Sequence, residues 1–180
     1  MARSTRVVGL VVVLWCLGFA AVNVAFELTG HFDDRLGDLA RGVAVMDWVA
    51  AGLKVLGAVV AGLAISERQR LVRPTTLAVL LWGAFATLAT YVVGSLAEAV
   101  AFATGLAGDR ADLTARNLGY VLFFLVAAAG FGVLAVAHAR RHRTPRRLVA
   151  LGMLGAPVVL GGLLVVIPAV LTAAGLLPAT

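Results

Sequence analysis

A chain of 180 residues with 62% hydrophobic and 13% charged side chains is not built for water, since soluble domains carry roughly 45–50% apolar and about 25% charged residues. Its net charge of +6 comes from arginines clustered between apolar runs, a pattern that membrane topology explains and that excludes nucleic acid as the expected partner. Cys16 is the lone cysteine, so an internal disulfide and a thiol pair are excluded.

The chain opens with MARSTR, then the apolar run VVGLVVVLWCLGFAAV. That run continues for ~20 residues, which reads as an uncleaved first helix. Further apolar runs bring the set to about 6–27, 46–66, 75–98, 117–138 and 148–173. Each is long enough to cross a core of ~30 Å as a helix. No barrel alternation is visible, and lipid offers the backbone no partners, so each span must satisfy its own N–H and C=O groups. The expected fold is all-α, a polytopic membrane bundle of five transmembrane helices forming one domain over residues 1–180. The preference for Arg over Lys beside Ala, Val, Leu and Gly points to a bacterial genome rich in GC.

Two stretches after the first and third runs resemble one another. Val24 to Arg41 reads VAFELTGHFDDRLGDLAR, and Val100 to Arg116 reads VAFATGLAGDRADLTAR. They share Val-Ala-Phe, Thr-Gly, Asp-Arg, Asp-Leu and Ala-Arg in one order, with single-residue shifts, which suggests a duplication. Two duplicated helix hairpins then precede a fifth helix. They would be parallel repeats about an axis along the membrane normal, an arrangement in which substrates bind at the repeat interface. Within the first stretch, Phe32, Leu36 and Leu39 recur at helical spacing while Asp33, Asp34 and Asp38 face elsewhere, as in a short amphipathic piece or a solvated connector. Pro157 and Pro168 interrupt the fifth run, and proline removes a helix hydrogen bond, so a kink is expected there.

Charge sets the orientation. Arg3 and Arg6, then Arg68, Arg70 and Arg73, then Arg140, Arg141, Arg143, Arg146 and Arg147 fall on one side, opposed only by Glu67. Most acids, with Arg35, Arg41, Arg110 and Arg116, fall on the other. The positive-inside rule places the amino terminus in the cytoplasm and, after five crossings, the carboxyl terminus outside. The cluster Arg140–Arg147 also suits anionic lipid headgroups, at ~1 kcal/mol per arginine near the surface.

Lys54 is the only lysine and lies within the second run. An ammonium there must snorkel, pair or line a wet cavity. Asp47, Ala51, Lys54, Ala58 and Gly62 share a face, a small-residue groove along which Lys54 can reach an acid, and Glu27, Asp47 and Glu98 are the candidates. Asn23 and Glu27 share a face of the first helix; Thr87, Tyr91, Ser95 and Glu98 follow one on the third; Asn117, Tyr120 and Phe124 follow one on the fourth. These faces converge on the outer leaflet. Small-xxx-small pairs, Gly57 with Ala61, Ala58 with Gly62 and Ala128 with Gly132, signal close packing and no particular partner.

The histidines form no expected metal site. His31 lies across the membrane from His138 and His142, and arginines around the latter two repel a cation, which leaves a solvated interfacial pair. No phosphate loop, zinc-protease helix or nucleophile elbow appears, so no catalytic residue, cofactor or enzymatic activity is expected. The leading expectation is a transporter- or channel-like protein with an outward-facing polar pocket for a small solute or ion. Its binding residues are Lys54, Glu27, Asp47, Glu98, Asn23, Tyr91, Ser95, Asn117 and Tyr120. The alternative is an accessory subunit whose polar residues fix helix packing and whose partner is a second copy or another membrane subunit.

Overall fold

The computed structural model describes residues 3–29, 40–66, 72–106 and 114–175, and these are helical with short turns and no strand. In chain order they form α1 (Arg3–Leu28), α2 (Ala40–Ile65), α3 (Pro74–Thr104), α4 (Ala115–His142), α5 (Arg146–Gly161), a π-helical turn (Gly162–Val166) and α6 (Ile167–Ala173). The stretch 30–39, with His31, Asp33, Asp34 and Asp38, lies outside the described residues, as does 107–113. Much of each related segment therefore falls there too.

Four of these helices are long and apolar enough to cross a membrane: Arg3–Leu28, Ala44–Ile65, Pro74–Thr104 and Asn117–His142. Only 22% to 33% of their most hydrophobic windows is buried inside the protein, so most of this apolar surface faces outward. Leu14 and Val158 are 69% and 75% exposed. Monomeric soluble proteins do not display apolar patches of that extent, and lipid is the solvent that suits them. A membrane-embedded helical protein is the result.

Local sequence explains the helix ends. Pro74 starts α3 at a position where its missing N–H costs nothing. That helix stops at Gly105, whose φ of 74° lets its own N–H bond the Phe102 carbonyl and the next N–H bond Ala101, a left-handed cap open to glycine. Thr114 caps α4 by accepting from the Asn117 N–H at 3.3 Å. Arg143 ends α4 with φ 49°, a left-handed conformation uncommon outside glycine, and Pro145 then leads into α5.

Helical backbone is continuous from Arg146 to Ala173, with a widened turn just before Pro168. Pro168 has no N–H for the carbonyl of residue 164, and its ring crowds that turn. Residue 164 lies inside the π-helical turn, which absorbs the conflict as such bulges do. Pro157 remains within α5.

The helices pack in the lateral order α2, α1, α4, α3, α5, and α6 returns to touch α2. Small residues and glycines line the contacts. Ala61 and Ala64 are fully buried with Leu81, Leu134 and Phe131 in the central core, while a side chain at Gly57 would meet Cys16 Sγ at 3.2 Å and one at Gly132 the Phe85 ring at 3.1 Å. Of the small pairs read from sequence, Gly62 alone faces open space. Gly9 faces Ile65, Gly130 faces Val8 and Val12, and His138 bonds Pro74. These contacts gather Arg3, Arg6, Arg73 and the arginines from 140 to 147 at one end of the bundle.

At that end the structure corrects the reading of the histidines. His138 is 2% exposed, its Nε2 lies 2.9 Å from the Pro74 carbonyl oxygen, and its ring stacks on His142 at 4.4 Å. A carbonyl only accepts, so Nε2 carries the proton. The flanking arginines look outward while the α4 face bearing His138 turns toward the start of α3. We expect His138→Leu to lower stability by about 1 kcal/mol, the net worth of one hydrogen bond, measured as a lower apparent melting temperature in detergent. His142→Gln is expected to leave it nearly unchanged.

Candidate functional site

Lys54 sits midway along α2, between the nearly buried Ala51 and Ala58, where the helix lies against α1. Its side chain therefore crosses to α1. Nζ is 3.9 Å from the centroid of the Phe19 ring, a cation–π contact. With the Asn23 amide turned to satisfy both its ends, the amide oxygen accepts from Lys54 Nζ at 2.9 Å and the amide NH2 donates to the Phe19 carbonyl at 3.3 Å. Phe19 and Asn23 are four residues apart, hence stacked on one face.

An ammonium has three N–H groups, and the Asn23 oxygen takes one. Asp47 lies two turns away on the same helix and acts on Lys54 through its field, at ~10 Å along the axis. The positive charge thus has a neutral oxygen and a ring face for close company. That arrangement orients the ammonium without neutralising it.

Lys54 also lines a 420 Å³ cleft between α2 on one side and α3 with α5 on the other. Its walls are otherwise almost wholly apolar: Trp15 and Cys16 from α1, Leu53 and Val60 from α2, Phe124 and Phe131 from α4, Leu151 and Val159 from α5. Thr87 of α3 adds a hydroxyl. The Trp15 indole nitrogen is buried and has no hydrogen-bond partner among the described residues. Trp15, Phe19, Phe123 and Phe124 pack edge to face and tilted, with centroids 4.8 to 5.7 Å apart, which fixes the ring beneath the ammonium.

The remaining candidates gather elsewhere. Tyr91, Ser95 and Glu98 from α3 and Asn117 and Tyr120 from α4 line a cleft of 180 Å³, at the bundle end opposite Arg3, Arg73 and Arg140. Tyr91 stacks on Phe124 at 4.5 Å, so the two clefts flank one aromatic wall. Glu27 stands one turn beyond Asn23 on α1. Eight of the nine residues read as one pocket therefore fall into two groups, Lys54 with Asn23 and the field of Asp47, and Glu98 with Tyr91, Ser95, Asn117 and Tyr120, while Glu27 joins neither.

Sequence reasoning passed over Phe19 and Trp15. Their signal was the spacing Trp15, Phe19, Asn23 on one face. Among the described residues no group of three metal-ligating side chains occurs. No family model, curated protein or solved structure matches this chain.

Proposed function

We propose that this is a five-span membrane protein that binds, and in a transport cycle would pass, an amphiphilic anion. The acyl or other apolar body lies in the cleft between α2 and α3, and the anionic head meets Lys54. The observation that carries the reading is a lysine in the lining of an apolar 420 Å³ space whose ammonium meets, among the described residues, one neutral amide oxygen and a ring face. Burying a charge is costly unless it is paired, and a ligand carboxylate or phosphate supplies the pair.

In this reading the rod from Arg146 to Ala173 is the fifth crossing. The α1–α2 and α3–α4 hairpins are the two copies of a duplicated unit. The arginine-rich end faces the cytoplasm, where it meets anionic lipid headgroups, and the Lys54 cleft is reached from the outer leaflet.

A second reading is favoured by one contact: the Asn23 oxygen on Lys54 at 2.9 Å also ties α1 to α2. The protein would then be an accessory subunit, and the lysine a packing device for association with a second copy or another membrane subunit.

Quenching of tryptophan fluorescence separates the two. In proteoliposomes, a fatty acid brominated along its chain is expected to quench Trp15 more strongly than its brominated methyl ester at the same mole fraction, because only the acid carries a head for Lys54. Equal quenching by acid and ester would leave the packing role as the correct one.

A further inference from the structure

The smaller cleft, between the end of α3 and the start of α4, carries a separate assignment. Tyr91, Ser95, Glu98 and Phe102 recur along α3 at steps of four, three and four, one stripe of a helix. Asn117 and Tyr120 come from the antiparallel α4. Thr114 fixes where α4 begins by capping the Asn117 N–H, and Gly105 fixes where α3 ends. The two helix ends thus open a space of 180 Å³ walled by two phenols, a benzyl ring and a carboxylate. None of its lining residues is cationic. Glu98 makes no ion pair among the described residues.

We propose that this cleft binds a small organic cation of the alkylammonium class. The carboxylate sets the sign of the charge, and the ring faces of Tyr91 and Tyr120 receive the alkyl-bearing nitrogen through their quadrupoles. The aromatic walls favour a cation clothed in methyl groups over a bare ion, which would keep its water. The volume limits the ligand to a compact headgroup. This site is independent of the Lys54 cleft and takes the opposite charge.

Saturation-transfer NMR on the full chain in nanodiscs of neutral lipid tests it, with tetramethylammonium as the probe and tert-butanol as a neutral comparator of similar shape. Tetramethylammonium is expected to give a saturable signal, tert-butanol none. Glu98→Gln and Tyr120→Leu should each weaken binding about tenfold or more. Three results overturn the assignment. The first is no saturable signal up to roughly 50 mM, where a millimolar site is filled. The second is an equal response to tert-butanol or full displacement by sodium. The third is a folded Glu98→Gln protein that binds as the parent does. Where a variant does not fold, the comparison of the two probes on the unaltered chain decides.

Discussion

Lys54→Met is expected to weaken binding of a fatty acid by about 10- to 100-fold, which corresponds to ~1.5–3 kcal/mol for a hydrogen bond to a charged group, while leaving binding of the methyl ester unchanged. Methionine keeps the length and the apolar stem of lysine, so packing beside Ala51 and Ala58 is preserved. Stability is expected to move little, within about 1 kcal/mol. Losing the contact with Asn23 is offset by removing an ammonium from an apolar wall. The pairing of measurements matters. A packing role for Lys54 predicts the reverse, a drop in melting temperature with no difference between acid and ester. Lys54→Arg keeps the charge but replaces a compact ammonium by a planar fork, and is expected to retain part of the binding.

The largest loss of stability is expected at Gly152, which is buried where α5 crosses α3. A methyl group placed there would lie 2.7 Å from both Trp82 Cβ and the Val79 carbonyl oxygen, and 3.3 Å from the Gly83 nitrogen. Two of those three are backbone atoms and cannot swing aside. Gly152→Val must therefore push α5 away from α3. The cost is ~1–3 kcal/mol for overpacking, and it comes in addition to disturbing the Trp82–Phe85 contact at 5.8 Å. Gly155, one turn further on, has nothing within 4 Å of a would-be side chain, and Gly155→Ala should be neutral or slightly stabilising, since Gly is ~1 kcal/mol poorer than Ala in a helix. Thermal denaturation in detergent measures both. Because Leu151, Gly155 and Val159 of α5 form one side of the Lys54 cleft, Gly152→Val should also loosen fatty-acid binding.

The residues that were legible in the sequence are those whose role follows from local chemistry. The apolar runs became helices because lipid leaves the backbone no alternative, and Pro74, Gly105 and Thr114 mark ends by their own backbone or hydroxyl. Lys54 stood out because a lone lysine in an apolar run must have a reason. Of its near neighbours, Asn23 was read with it from the polar face of the first run, and Phe19 was not legible. Periodicity says which residues share a face of α2, but not how far α2 is rotated against α1, and that rotation gives the ammonium Phe19 and Asn23 as its near neighbours. The same gap separates Gly152 from Gly155: both loosen a helix in the sequence, and only the crossing with α3 makes one of them indispensable. His138 looked wet because arginines follow it. The side of α4 on which it falls depends on where α3 begins, across a loop that is silent on the matter.

The wide turn at Gly162–Val166 has a bearing on how this chain tolerates change in length. A π turn holds one residue more than the α-helical count over about the same rotation, so excising one of those five restores regular winding and leaves everything downstream facing as it does now. Leu171, 6% exposed, would keep its seat, and α6 its touch on α2. A single-codon deletion here is thus absorbed, whereas the same deletion within the regular winding of α5 would swing the terminal helix round by ~100°.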